Sequence, residues 1–111
     1  MDDATVRRRL EGMLQELDRS ISVLTGDGTD LRDGSAADGG AHLSDSDRTR
    51  AMLDVAARQR AAVLAALKRL EDGRYGRCID CGGTVPEGRL EARPEAARCV
   101  QCQARAERRR R

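Results

Sequence analysis

Four cysteines in two tight pairs constrain this chain more than any other feature. Cys78-Ile79-Asp80-Cys81 and Cys99-Val100-Gln101-Cys102 are CxxC pairs separated by 17 residues. Two-residue spacing lets both thiolates of a pair point at one ion from a tight knuckle. The longer gap lets a second knuckle return and complete a tetrahedron. Gly82 and Gly83 follow the first pair, where the chain must turn sharply around sulfur. Pro86 and Pro94 punctuate the segment between the pairs and predict a short hairpin there. The expectation is one structural Zn²⁺ held by Cys78, Cys81, Cys99 and Cys102. Arg77, Arg89, Arg93 and Arg98 lie nearby in sequence to offset the negative charge of four thiolates.

A dithiol redox site is the main rival. It needs one activated CxxC in a thioredoxin-like βαβ setting, and two matched pairs without that setting argue against it. An iron–sulfur cluster is less favoured. With all four positions filled by protein, no position is left for a catalytic water, so no enzymatic activity is expected and no catalytic residue is assigned. His42 stands alone in an acidic stretch and reads as a solvated side chain.

Composition removes other possibilities. Tyr75 is the single aromatic residue, and 36% of the chain is charged. Deep ligand pockets draw on aromatic bulk, so none is expected. No stretch approaches the roughly 20 apolar residues that span a bilayer. The charged N-terminus lacks a secretory core, and a cytoplasmic location with reduced thiols is expected. Net charge is only +2, but it is unevenly placed. Gly26 to Asp47 holds six Asp against one Arg, while the chain ends in Arg108 to Arg111. Opposed ends suggest docking on a charged surface in a fixed orientation.

Upstream of the cysteines, apolar residues recur at helical spacing. Val6, Leu10, Met13, Leu14, Leu17, Ile21 and Leu24 mark a one-sided helix from Asp3 to Thr25, capped by Asp2 or Asp3 and stopped by Gly26. Leu53, Ala56, Val63, Leu64, Leu67 and Leu70 mark a second helix from Asp45 to Asp72, with Ser44 and Asp47 as its capping pair and Gly73 as its end. Arg60 interrupts that apolar seam. Each helix has one face to cover, and the simplest cover is the other helix folded back antiparallel. The predicted fold class is therefore mainly α. Residues 1–73 form an antiparallel two-helix coiled-coil arm, with a flexible acidic tip at about residues 26–47. Residues 74–111 form a small C4 zinc-finger module with a basic C-terminal helix.

The tract from Leu67 to Glu107, LKRLEDGRYGRCIDCGGTVPEGRLEARPEAARCVQCQARAE, resembles the DksA/TraR family of bacterial transcription factors. YGRCxxCG, then RLEARPxAxxC, then xxCQ, carries the likeness, and the two helices upstream fit the family arrangement. The resemblance implies a transcription regulator that binds RNA polymerase without recognising DNA sequence. It implies a coiled coil inserted into the secondary channel, the pore leading to the polymerase active site. The zinc module and C-terminal helix would grip the rim, while acidic tip residues alter promoter complexes. Some members of the family act together with ppGpp. Family tips carry Asp-x-x-Asp-x-Ala, and an ungapped count from Cys78 places Asp38 opposite the second Asp, Ser35 opposite the first and Gly40 opposite the Ala. Asp38 is thus the candidate tip residue. Arg89, Arg93, Arg105 and Arg108 are the candidates for contact with polymerase or phosphate. The chain is expected to act as a monomer. The alternative is a zinc-ribbon adaptor or nucleic-acid-binding module acting outside the channel, its helices serving for dimerisation.

Overall fold

The structure is a computed structural model that describes residues 2–26 and 39–110, with side chains in the second segment described from Ser46 onward. Among the described residues four helices appear in order: α1 (Asp3–Thr25), α2 (Gly39–Glu71), α3 (Glu87–Ala92) and α4 (Val100–Arg110). Among the described residues there is no strand, and one isolated antiparallel bridge joins Arg77 to Thr84.

The boundaries of α1 follow from its end residues. The Thr5 backbone N–H donates to Asp2 Oδ1 at 3.0 Å, so Asp2, rather than Asp3, caps the helix. Hydrogen bonds from Thr5 hold the Asp2 carboxyl below its usual range. At the other end Gly26 takes φ 78° and its N–H donates to the Val23 carbonyl at 3.1 Å. Helix α2 ends in a paired arrangement around Gly73, at φ 76°. The Gly73 N–H donates to Leu70 and the Arg74 N–H to Arg69, at 3.2 and 2.8 Å. These two bonds satisfy carbonyls that the helix end would otherwise leave open. Lys68 and Arg69 sit in this last turn, where positive charge suits the helix dipole.

Helix α2 begins at Gly39 rather than at the expected Asp45. Ser44 and Asp47 therefore lie inside the helix and do not form its cap. No proline stands between Gly39 and Asp47, and once a helix exists each added residue gains a backbone hydrogen bond. The expected acidic tip falls largely on residues 27–38, which lie outside the described residues.

Contacts group the chain into two units. One contains the start of α1, up to Gly12, with everything from Ala62 onward. Val6 (2% exposed), Leu10 (0%), Val63 (0%), Ala66 (0%) and Leu70 are its buried residues on the two long helices. The second unit runs from Met13 to Ala61. There Arg60 Nε meets Asp18 Oδ1 at 2.6 Å, which explains the polar break in the α2 seam: its charge is answered from α1. Both groups are half-exposed, so the pair contributes no more than about 1 kcal/mol. Ala56 is the one buried apolar residue among the described residues of this unit.

The two long helices run antiparallel. In the second unit, late α2 meets α1 through Arg60 and Asp18, and in the first unit the start of α1 groups with the end of α2. Most seam positions named from the sequence face inward. Leu64 is the exception, at 40% exposure, while Ala66 takes the buried place. At residues 63–66, a small side chain, rather than the larger leucine, occupies the covered side.

Candidate metal centre

The zinc module grows from the end of α2. After Gly73 the chain passes Tyr75, whose hydroxyl donates to the Pro94 carbonyl at 2.8 Å. Tyr75 packs, half-buried, against a core of Cys78, Val85, Leu90 and Cys102, joined by Ala96 and Cys99. Burial pushes the Tyr75 hydroxyl up from its usual pKa. The only aromatic residue is thus spent on the module's interior. We predict that Tyr75→Phe keeps full zinc stoichiometry but loses about 1 kcal/mol of stability in urea denaturation. An unchanged urea midpoint would show that the hydroxyl contributes nothing.

Backbone hydrogen bonds shape the first knuckle. The Cys78 N–H donates to the Gly83 carbonyl at 2.7 Å, and the Gly82 N–H donates to the Cys78 carbonyl at 2.9 Å. Gly82 holds φ 76°, a conformation that side chains with a Cβ resist. The Gly83 N–H points at Cys81 Sγ, 3.4 Å away. Val85 donates back to Gly76 at 2.8 Å, so the antiparallel pairing closes around this knuckle.

The intervening segment is not the hairpin that the two prolines predicted. It contains α3, which starts after Pro86 and buries Leu90. Proline is preorganised for a helix start. Arg93 leaves helical geometry at φ −137°, ψ 86°, as a residue before proline tends to do. The two prolines flank a helix rather than punctuating a hairpin.

The second knuckle sits at the start of α4. The Gln103 N–H donates to the Cys99 carbonyl at 2.9 Å, placing Cys99 before the first turn and Cys102 within it. Helix N-termini favour negative charge, which suits thiolates there. Two bonds lock the knuckles together: the Ile79 N–H donates to Ala97 at 2.9 Å, and Arg98 Nε meets Asp80 Oδ2 at 2.7 Å.

The four Sγ atoms lie within 4.8 Å of one another, with Cys81 and Cys99 at 4.0 Å. Zinc–sulfur bonds near 2.3 Å in a tetrahedron require sulfur separations of about 3.8 Å. The donor set and its spacing fit one structural Zn²⁺. Without an ion the thiols would sit unevenly. Burial opposes ionisation of Cys78, but N–H donors from Cys81, Cys99 and Asp80 outweigh it and bring the thiol down to about 6. Cys102 is pushed up to about 12, chiefly by the neighbouring Cys99 thiol and by burial. Zinc resolves this conflict by stabilising all the thiolates together. Cys78 and Cys102 are buried, Cys99 is intermediate and Cys81 is exposed.

The arginines named from the sequence are differently placed. Arg89 Nε donates to the Arg98 carbonyl at 3.1 Å, so it serves the module's interior. Arg93 is exposed at the end of α3. Arg105 and Arg108 are exposed on α4, three residues apart and so on one face. Asp38 lies outside the described residues. Sequence reasoning missed the grouping of Lys68, Arg69, Arg74 and Arg77 around one cavity, because the four lie on a helix end and a loop with no common period. Among the described residues no helix is long and apolar enough to cross a membrane.

Comparison with known proteins places this geometry. Residues 73–108 match the Prokaryotic dksA/traR C4-type zinc finger. The chain is 37% identical over 106 residues to the RNA polymerase-binding transcription factor DksA of Caulobacter vibrioides (strain NA1000 / CB15N), an alignment covering 91% of this chain and 70% of that one. It is 46% identical over 41 residues to the protein of the same name from Escherichia coli (strain K12), covering 37% of this chain and 27% of the relative. The solved structure of transcription factor DksA2 from Pseudomonas aeruginosa superposes with a TM-score of 0.75 at 27% identity, covering 97% of this chain and 84% of the other.

Proposed function

Because this chain belongs to the DksA/TraR family of C4-type zinc-finger proteins, we propose that it binds RNA polymerase directly and regulates transcription from there. The span of the likeness carries this reading. A relative named for polymerase binding aligns over 91% of the chain, so the likeness includes the paired helices as well as the zinc finger.

In finer detail, residues 1–73 act as the arm that enters the secondary channel, and residues 74–111 grip its rim. That division is functional; by contacts, the zinc module shares a unit with the ends of both long helices. Charge supports the orientation. Gly26 to Asp47 carries six Asp against one Arg, a composition suited to a basic channel. Arg93, Arg105 and Arg108 are exposed, and would face an acidic rim or phosphate. Asp38 is the proposed acting residue at the tip. Zinc plays no chemical part in this function; it folds the module that positions the arm.

The test is binding of zinc-loaded protein to core polymerase without DNA, followed by transcription assays. Wild type is expected to bind saturably. Asp38→Asn is expected to keep that affinity while changing transcript yield. Equal yields from wild type and variant would remove Asp38 from the account. Absent polymerase binding, with steeply salt-dependent DNA affinity that Arg108→Gln reduces, would favour the nucleic-acid-binding alternative.

A further inference from the structure

The four sulfurs of the zinc centre are unequally protected. Cys78 and Cys102 are buried with Val85 and Leu90, whereas Cys99 is intermediate and Cys81 is exposed. A competing ligand must first reach a sulfur that solvent reaches. The Cys81–Cys99 edge, with its sulfurs 4.0 Å apart, is therefore where the centre opens most readily. Cys81 has little local support, since the Gly83 N–H lies 3.4 Å from its sulfur.

Two links cross between the knuckles, and they serve different edges. The backbone link, from the Ile79 N–H to the Ala97 carbonyl at 2.9 Å, directly follows Cys78 on the buried side. The side-chain link joins Arg98 Nε to Asp80 Oδ2 at 2.7 Å. Asp80 directly precedes Cys81, and Arg98 directly precedes Cys99. The ion pair thus spans the same gap as the exposed sulfur edge. Its side chains are 28% and 33% exposed, so it is better shielded than Cys81. The backbone of Arg98 is held from α3, because Arg89 Nε donates to its carbonyl at 3.1 Å. Moving Cys81 away from Cys99 has to stretch a short, charge-assisted bond with one end already fixed.

Charge alone does not explain Asp80. Four thiolates around Zn²⁺ leave the centre net negative, so a carboxylate beside Cys81 is unfavourable by itself. Arg98 would offset the thiolates better without a carboxylate partner. We propose that Asp80 and Arg98 are positioning residues that retain the zinc ion by clamping Cys81 to Cys99. Outer contacts of this kind change metal affinity by about 10–100-fold in other sites. Zinc retention needs only the zinc-loaded chain, so the clamp stands or falls independently of the polymerase reading.

The rate of zinc transfer from the full zinc-loaded protein to excess pyridylazoresorcinol tests it, because clamp and charge predict opposite signs. Asp80→Asn removes a negative charge beside a thiolate, which on charge alone should slow release. The clamp predicts that Asp80→Asn and Arg98→Gln each speed release by about tenfold or more. The double variant should release zinc no faster than the quicker single variant, since either change already breaks the pair. Arg77→Gln removes a positive charge next to Cys78 without touching the pair, and should stay close to wild type. Cobalt-substituted forms of every variant should keep the absorption bands of a tetrahedral four-sulfur site, which separates retention from ligand identity. Four results would each overturn the proposal: slowed or unchanged release from Asp80→Asn, equal acceleration by Arg77→Gln and Arg98→Gln, additive effects in the double variant, or loss of the four-sulfur bands.

Discussion

Cys81→Ser is expected to strip the protein of zinc and unfold the unit that contains the centre. The argument turns on where Cys81 sits. It is exposed, and exposed substitutions usually change stability by no more than about 0.5 kcal/mol. As one of four sulfurs gathered within 4.8 Å, it should instead carry a share of a zinc-binding free energy on the order of 10 kcal/mol. The two readings of the residue therefore differ by far more than experimental error. The module's own core is small: Cys78 and Cys102 make up half of its four buried residues, with Val85 and Leu90. The second unit buries only Ala56 among its described apolar residues and is crossed by one half-exposed ion pair, so it has little to hold it by itself. Helical signal should accordingly fall by more than α3 and α4 alone would give. Metal analysis after dialysis, with a thermal melt, decides the matter. Retained stoichiometric zinc and an unshifted melt would contradict it.

Leu10→Ala is the second large effect. Leu10 is 0% exposed, in the unit that also buries Val6, Val63, Ala66 and Leu70. Truncating a buried leucine costs about 2–5 kcal/mol, from lost burial and the cavity left behind. Small domains have only about 5–15 kcal/mol in total, so the variant should unfold at a much lower urea concentration. Val23→Ala on the same helix is the control, since Val23 is 62% exposed. Its midpoint should stay close to that of wild type. If both variants shifted equally, Leu10 would not be the keystone that its burial indicates.

Much of this architecture is legible in the sequence because the signals are local. Asp2 and Gly26 bracket α1, and Gly73 ends α2, through hydrogen bonds that span only a few residues. The CxxC spacing fixes which sulfurs converge because each knuckle is short. Legibility fails where long-range packing decides. Leu64 fits the apolar stripe, yet it is exposed while Ala66 is buried. Pro86 and Pro94 look like hairpin punctuation, but Leu90 between them has a core to enter, and a helical turn takes it there. Ser44 and Asp47 look like a cap, but the helix has already begun at Gly39. The convergence of Lys68, Arg69, Arg74 and Arg77 depends on a chain reversal at Gly73, and no periodicity announces it. Asp38, the residue proposed to act at the tip, lies outside the described residues.

The central claim, that this chain acts on RNA polymerase through the secondary channel, is tested most directly by competition. Labelled zinc-loaded protein is bound to core polymerase, and a known secondary-channel factor is titrated in. The account predicts complete displacement, with an apparent affinity that depends on the amount of label present, as two ligands sharing one site require. Simultaneous binding of both proteins would place this chain elsewhere on the enzyme and contradict the channel assignment.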